Sequence, residues 1–269
     1  MEMKRSRVLD KLRAGEIVNC TKLNLFDSRT VEIAALSGVD CVWTDMEHVA
    51  NDYSAIEKQI LAAKAYNTDI MVRVSRGSYS DHVKPLEMDA SGIMVPHVMS
   101  LADAKNVVRM TRFHPTGRRP VDGGNADGAF CNINFVEYLK QANERRFVCI
   151  QIEDPEPLDE LDEIAALDGI DMIFFGPGDF SQGIGAPGQW DHSELLKARE
   201  KVAKAAIRHG KFAATVGSPE NLQELIGMGY RFISMGADVV GLGQYFAGIV
   251  SNFNKVSNSI NSIYGGNQK

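Results

Sequence analysis

Eight short runs rich in β-branched and aromatic residues recur along the 269-residue chain, at 17–25, 41–45, 70–74, 92–96, 147–152, 172–175, 212–215 and 232–235. A longer helical pattern follows each of them, at 30–36, 54–66, 80–88, 101–111, 158–167, 194–209, 219–228 and 239–256. This alternation is the habit of βαβ units, which lay consecutive strands parallel in one sheet. Eight units predict a closed α/β structure, a (β/α)8 TIM barrel formed by a single domain over residues 1–269, with a polar tail from about residue 254. The Gly38-Val39-Asp40 and Gly169-Ile170-Asp171 steps fit a helix-ending glycine that leads into a strand. One segment breaks the rhythm. Residues 113–131 are rich in Gly, Pro, Asn and Asp, a composition too turn-prone for a helix, and a connection of that length is either functional or an exposed surface loop.

Composition narrows the class of function. A formal charge of -6 without a long Lys/Arg block leaves no footprint for a polyanion, so nucleic acid is not an expected partner. No run of 18 apolar residues suggests a membrane span, and the first 15 residues lack the apolar stretch of a signal peptide. Cys20, Cys41, Cys131 and Cys149 lie far apart with no C-x-x-C pair, as expected of reduced thiols in a cytoplasmic protein. Small metabolites are the expected partners.

In parallel barrels the reactive groups sit just after the C-terminal ends of the strands. Here those ends read Asp45-Met46-Glu47-His48, Arg73-Val74-Ser75, Gln151-Ile152-Glu153-Asp154 and Gly176-Pro177-Gly178-Asp179, and they should converge on one mouth. Glu153 and Asp179 offer oxygen donors without a Cys or His at zinc-type spacing, which suits a hard divalent ion such as Mg²⁺ or Mn²⁺. Spacing alone leaves a second reading open, in which Asp179 caps the following segment and Glu153 pairs with a basic neighbour. Arg73 carries the planar fork that binds a carboxylate, so cation and guanidinium together suit an anionic 2-oxo acid; a structural ion pair is its alternative. His48 has Asp45 three residues before it and Glu47 beside it, company that can fix an imidazole tautomer for general-base work. His97, His114 and His192 lack such company in the sequence. No lysine appears in the strand-end clusters, which speaks against a Schiff-base mechanism. The Gly176–Ser181 stretch lacks a nucleotide-binding pattern; its glycines suit a close approach of backbone N–H groups to a ligand.

These clusters resemble those of the HpcH/HpaI aldolase family, in the same order along the chain. Asp45-Met46-Glu47-His48 corresponds to its Asp-x-Glu-His, Arg73 to its strand-three arginine, Gln151-Ile152-Glu153 to its Gln-x-Glu and Gly176-Pro177-Gly178-Asp179-Phe180-Ser181 to its Gly-Pro-x-Asp-Leu-Ser. The resemblance implies that Glu153 and Asp179 hold the metal, with Co²⁺ or Zn²⁺ as alternatives to Mg²⁺ and Mn²⁺. It implies that Arg73 holds the pyruvyl oxygens, that His48 and Asp45 form an acid/base dyad, and that Gln151, Gly178 and Ser181 line the substrate site. Arg119 aligns with the family's loop arginine and is carried over as a substrate-binding residue, although Arg118 beside it and the glycine-rich continuation depart from the sugar-acid aldolases.

The implied activity is reversible cleavage of a 4-hydroxy-2-oxo acid into pyruvate and an aldehyde through a metal-stabilised pyruvate enolate. Decarboxylation of oxaloacetate by the same enolate chemistry is an alternative, and a non-catalytic binding barrel is a second. The resemblance also implies a last helix exchanged between subunits, giving a dimer-based homo-oligomer that assembles as a hexamer. The apolar stripe Val239, Leu242, Phe246, Ile249, Val250 and Phe253, with Val240 and Tyr245 off it, provides surface for such a partner.

Overall fold

The structure is a computed structural model that describes residues 1–264, with side chains to residue 257. Its eight strands, β1 (Val18–Leu23), β2 (Cys41–Asp45), β3 (Asp69–Arg73), β4 (Gly92–Val95), β5 (Phe147–Ile152), β6 (Met172–Phe175), β7 (Phe212–Gly217) and β8 (Tyr230–Ala237), close in sequence order into a barrel. Every neighbouring pair is parallel, including β8 with β1. The strands therefore lie where the sequence predicts them, with ends shifted by one or two residues.

The helices are α1 (Arg7–Arg13), α2 (Ser28–Leu36), α3 (Tyr53–Ala65), α4 (Tyr79–Glu87), α5 (Leu101–Thr111), α6 (Phe135–Arg145), α7 (Leu161–Ala165), α8 (Pro177–Gly183), α9 (Ser193–Arg208), α10 (Leu222–Met228) and α11 (Asp238–Tyr264). Among them α1, α6 and α8 were not expected from the sequence. The expected tail from residue 254 is instead helical to Tyr264, and its remainder lies outside the described residues.

Alternation along the strands sorts their side chains into two cores. Val42, Ile70, Val72, Ile93, Ile150, Ile173 and Ile233 point outward and pack under the helices. Cys20, Cys41, Trp43, Met71, Met94, Phe147, Cys149, Met172, Phe174 and Phe232 fill the barrel interior. Gly92 is required there, because a Cβ on it would stand 2.2 Å from the Phe147 ring. Helix α1 plugs the lower end: Val8, Leu9 and Leu12 join the inner core, and the buried Asp69 carboxylate accepts hydrogen bonds from the Ser6 hydroxyl and the Val8 backbone. Three cysteines are buried and Cys131 is exposed, all four as free thiols. No helix among the described residues is long and apolar enough to cross a membrane.

The connection between α5 and α6 lies at the N-terminal face of the barrel, away from the strand ends that carry the polar clusters. Its anchor Arg112 donates to the Gly169 and Arg146 carbonyls and pairs with Asp171, all at the starts of β5 and β6. Arg119, expected to bind substrate, is buried in this connection. Its guanidinium pairs with Asp127 at 2.7 Å and stacks 4.7 Å from the Phe113 ring centroid, while the Tyr138 hydroxyl donates to the same Asp127. Burial pushes the Asp127 carboxyl up and Arg119 pulls it back. This placement corrects the expectation: Arg119 holds its own loop together and does not line the mouth.

Removing one partner of a buried pair strands the other charge. Arg119→Met should lower the free energy of unfolding by about 3–5 kcal/mol in denaturant titrations. A loss below about 1 kcal/mol, the range of an exposed pair, would remove Arg119 from this structural role.

Candidate active site at the barrel mouth

The inward positions that are apolar in the lower barrel become polar at the C-terminal ends of the strands, and there they surround a cavity of about 670 Å³. Lys22, Arg73, Gln151, Glu153, Gly178 and Asp179 all line it, so groups from four separate parts of the sequence meet. The size is typical of a small-molecule site.

One wall is organised by Asp45, whose side chain is fully buried. Its carboxylate accepts from Arg73 through Nε at 3.0 Å and through Nη2, from Lys22 Nζ at 3.0 Å, and from the Glu47 backbone N–H at 2.9 Å. Burial works against the charge, yet the Arg73 and then the Lys22 contacts outweigh it and hold the carboxyl at about 2. Arg73 Nη1 also lies 3.0 Å from Glu47 Oε2, and the Trp43 ring takes both cations, Lys22 Nζ at 5.1 Å and Arg73 Cζ at 4.9 Å. With Nε and Nη2 donating to Asp45 and Nη1 paired with Glu47, Arg73 is fixed in orientation and keeps N–H groups for a ligand in the cavity.

The facing wall carries the opposite imbalance. Glu153 is buried, and among the described residues no lysine or arginine pairs with it; its Oε1 accepts from the His97 backbone N–H at 3.0 Å and its Oε2 from Gln151 Nε2. Burial pushes its carboxyl up to about 7, and Asp179 and Glu47 add to the shift against the pull of His97. Gly176 permits this arrangement, since a Cβ there would stand 2.7 Å from Glu153 Oε2. Gln151 Oε1 is buried without a hydrogen-bond donor among the described residues. An excess of carboxylate oxygens, an unused amide oxygen and no fixed cation form a set that fits a divalent metal ion.

Several expectations change here. Asp45 meets His48 only through the His48 backbone N–H at 3.4 Å; the His48 ring is half exposed, with Nε2 3.7 Å from Glu47 Oε2. The expected Asp45–His48 carboxylate–imidazole pair is therefore not made, because Arg73 and Lys22 already occupy that carboxylate. Ser181 is buried off the cavity, donating to the Gly178 carbonyl at 2.7 Å and accepting from the Gly188 N–H at 3.1 Å, so it shapes α8 instead of touching a ligand. Gly178 lines the cavity with open space where a side chain would be.

Two residues were missed. Lys22 does stand at the mouth, contrary to the expectation of no lysine there, and period-two counting from Val18 and Cys20 places it inward. Its Nζ is engaged by the Asp45 carboxylate at 3.0 Å. His97 has dense acidic company after all: its Nδ1 lies 2.8 Å from Asp154, and donor atoms of His97, Glu47 and Glu153 lie within 4.8 Å of one another. Burial lowers the His97 ring's basicity, but Asp154, Glu153 and Glu47 together raise it. These partners come from the ends of β2 and β5, which local sequence cannot show.

The chain was compared with known proteins. A hydroxypyruvate/pyruvate aldolase of Pseudomonas aeruginosa is 32% identical over 88% of this chain and 89% of its own length. A 2-keto-3-deoxy-L-rhamnonate aldolase of Escherichia coli is 31% identical over 86% of both chains. The crystal structure of an HpcH/HpaI aldolase from Desulfitobacterium hafniense superposes with a TM-score of 0.86 at 29% identity, covering 91% of this chain and 95% of that one. The profile of the HpcH/HpaI aldolase/citrate lyase family matches residues 23–243, a span that contains every residue of the mouth just described except Lys22, and the chain belongs to that family.

Proposed function

We propose that this protein is a divalent-metal-dependent carbon–carbon lyase that reversibly cleaves a 4-hydroxy-2-oxo acid into pyruvate and an aldehyde. The observation that carries this reading is the buried Glu153, without a lysine or arginine beside it, facing a guanidinium held rigid by Asp45. Glu153 and Asp179 would hold the ion, whose chemistry is Lewis-acid polarisation of the 2-oxo group. Oxygen donors favour Mg²⁺ or Mn²⁺; the His97 imidazole within reach of Glu153 extends the choice to Co²⁺ or Zn²⁺.

The chain's own residues supply binding and proton transfer. Arg73 offers its remaining N–H groups to the pyruvyl oxygens, and because Asp45 and Glu47 fix it beforehand, no reorientation is needed as negative charge develops. Lys22 adds positive potential on the same side. The His48 ring, at the cavity edge and next to Glu47, takes the proton of the C4 hydroxyl as the C3–C4 bond breaks, and a proton delivered to C3 completes pyruvate.

We also propose a homo-oligomer in which the last helix is exchanged. The first residue of α11, Asp238, is tied to the segment after β1 by hydrogen bonds from the Asn24 and Leu25 backbone, but Val240, Tyr245, Phe246, Val250 and Phe253 stand more than half exposed. A face of that size calls for a partner, and in an exchanged dimer a second copy of this chain would cover it.

Measurable outcomes check these proposals. In D₂O the pyruvate methyl signal should fade only with a divalent ion present, and Glu153→Gln should abolish calorimetric ion binding; unchanged affinity in that variant would take Glu153 out of the ligand set. Loss of oxaloacetate without turnover of any aldehyde would move the reading to a decarboxylase. Because the Glu153 carboxyl sits at about 7, an arriving ion must displace a proton at lower pH. Ion affinity should therefore fall by about tenfold per pH unit below that value and level off above it, whereas a flat profile from pH 5.5 to 8.5 would contradict the buried, uncompensated carboxyl. Light scattering should show a dimer or larger assembly that Phe246→Glu with Ile249→Glu dissociates, and a wild-type monomer would refute the exchanged helix.

A further inference from the structure

Arg199 on α9 is 8% exposed and lines the same cavity, yet no carboxylate pairs with it among the described residues, and its Nε is buried without an acceptor. The chain's other buried arginines are all matched. Arg73 has Asp45, Arg112 has Asp171, Arg119 has Asp127 and Arg146 has Asp89. A guanidinium withdrawn from water without a counter-charge is destabilising, and the cost is relieved when an anion arrives.

Its position says which part of a ligand it meets. Helix α9 follows β6 and so runs away from the mouth; helical side chains lean toward their own N-terminus, which aims Arg199 back at the mouth. The helix packs on β6 and β7, and in a closed ring of eight strands β7 stands opposite β3, which carries Arg73. Asn221 lines the wall beside it. The Asn221 Oδ1 accepts from the Ser218 N–H at 2.8 Å, which leaves its amide N–H groups without a protein acceptor among the described residues.

We infer that Arg199, assisted by Asn221, is a second oxyanion subsite, and that the aldehyde half of the substrate carries an anionic group, a carboxylate or a phosphate, at its far end. The assignment to the aldehyde half rests on the aldolase reading above. In the synthetic direction pyruvate C3 gives up a proton and bonds to the aldehyde carbon, whose oxygen gains a proton, and Arg199 holds the other end of that aldehyde throughout.

The first test is calorimetry on the Mn²⁺-loaded protein with 2-oxoglutarate against 2-oxopentanoate, and with 2-oxoadipate against 2-oxohexanoate. Members of each pair share the 2-oxo acid head and differ in the terminal carboxylate. The second compares kcat/KM for 4-oxobutanoate against butanal and for glyceraldehyde 3-phosphate against glyceraldehyde, which separates a carboxylate from a phosphate. The charged member should be favoured by roughly 10- to 150-fold in wild type, the range of a charge-assisted hydrogen bond, and R199Q should erase the preference. R199K keeps the charge and loses the fork, so it should retain a preference reduced by about threefold or more, which also serves if R199Q fails to fold. The proposal is overturned by no preference in any wild-type pair, by a preference that survives both variants, or by equal losses on charged and neutral partners. Failure of wild type to exchange the pyruvate methyl protons would sink the aldolase reading alone, because the binding pairs still report on Arg199.

Discussion

Asp45 occupies a place that water does not reach, and three groups from three elements are spent on keeping it ionised there. Lys22 comes from β1, Arg73 from β3 and the Glu47 amide from the turn after β2. A buried carboxylate of this kind stabilises only if it is fully matched, and matching it fixes the angle at which the Arg73 guanidinium meets the cavity. Trp43 lies against both cations and continues downward into the apolar filling of the barrel, edge-on to Phe174. The orientation of the arginine is thus inherited from the packed interior beneath it, and that interior is closed from below by α1.

The contrast between Asp45 and Glu153 shows how one fold makes two carboxyls do different work. Both are buried at strand ends, Asp45 on β2 and Glu153 just after β5. Two cations bring Asp45 down to about 2, while Glu153, with none of its own and with Asp179 and Glu47 nearby, rises to about 7. The first is a structural anion that positions a donor; the second is a site awaiting a positive charge. The cavity therefore separates a cationic wall from an anionic one, which is the arrangement a metal ion and an anionic 2-oxo acid would jointly neutralise. Arg199 adds a further unmatched cation on the β7 side.

Much of this was legible in sequence for identifiable reasons. Strands buried on both faces read as compact apolar runs, so all eight could be placed, and the strand-end rule brought Arg73, Gln151, Glu153 and Asp179 to one mouth. What escaped was decided by partners distant in the chain. Helix α1 is short, and its three apolar residues look like nothing until the barrel offers them an opening to plug. His97 has no acidic neighbour within four residues, yet strand ends bring it Glu47, Glu153 and Asp154. Asp45 and His48 look like a dyad because they are three residues apart, but the carboxylate goes to the stronger charges across the barrel. Arg119 shares the loop composition of a ligand-gripping residue and is claimed instead by Asp127 on the opposite face.

The sequence by itself determined the eight-fold alternation, the burial of the strands and the identity of the acidic and basic groups at their ends, because those depend on local period and side-chain chemistry. Only the tertiary structure decided which charge answers which. Closure of the barrel brings β1, β2 and β3 side by side at the mouth, so Lys22 and Arg73 neutralise Asp45 and leave Glu153 without a fixed cation. The same closure turns α9 inward over β7, leaving Arg199 buried without a counter-ion. Those pairings depend on distance and exclusion of water, two quantities that spacing along a chain does not contain.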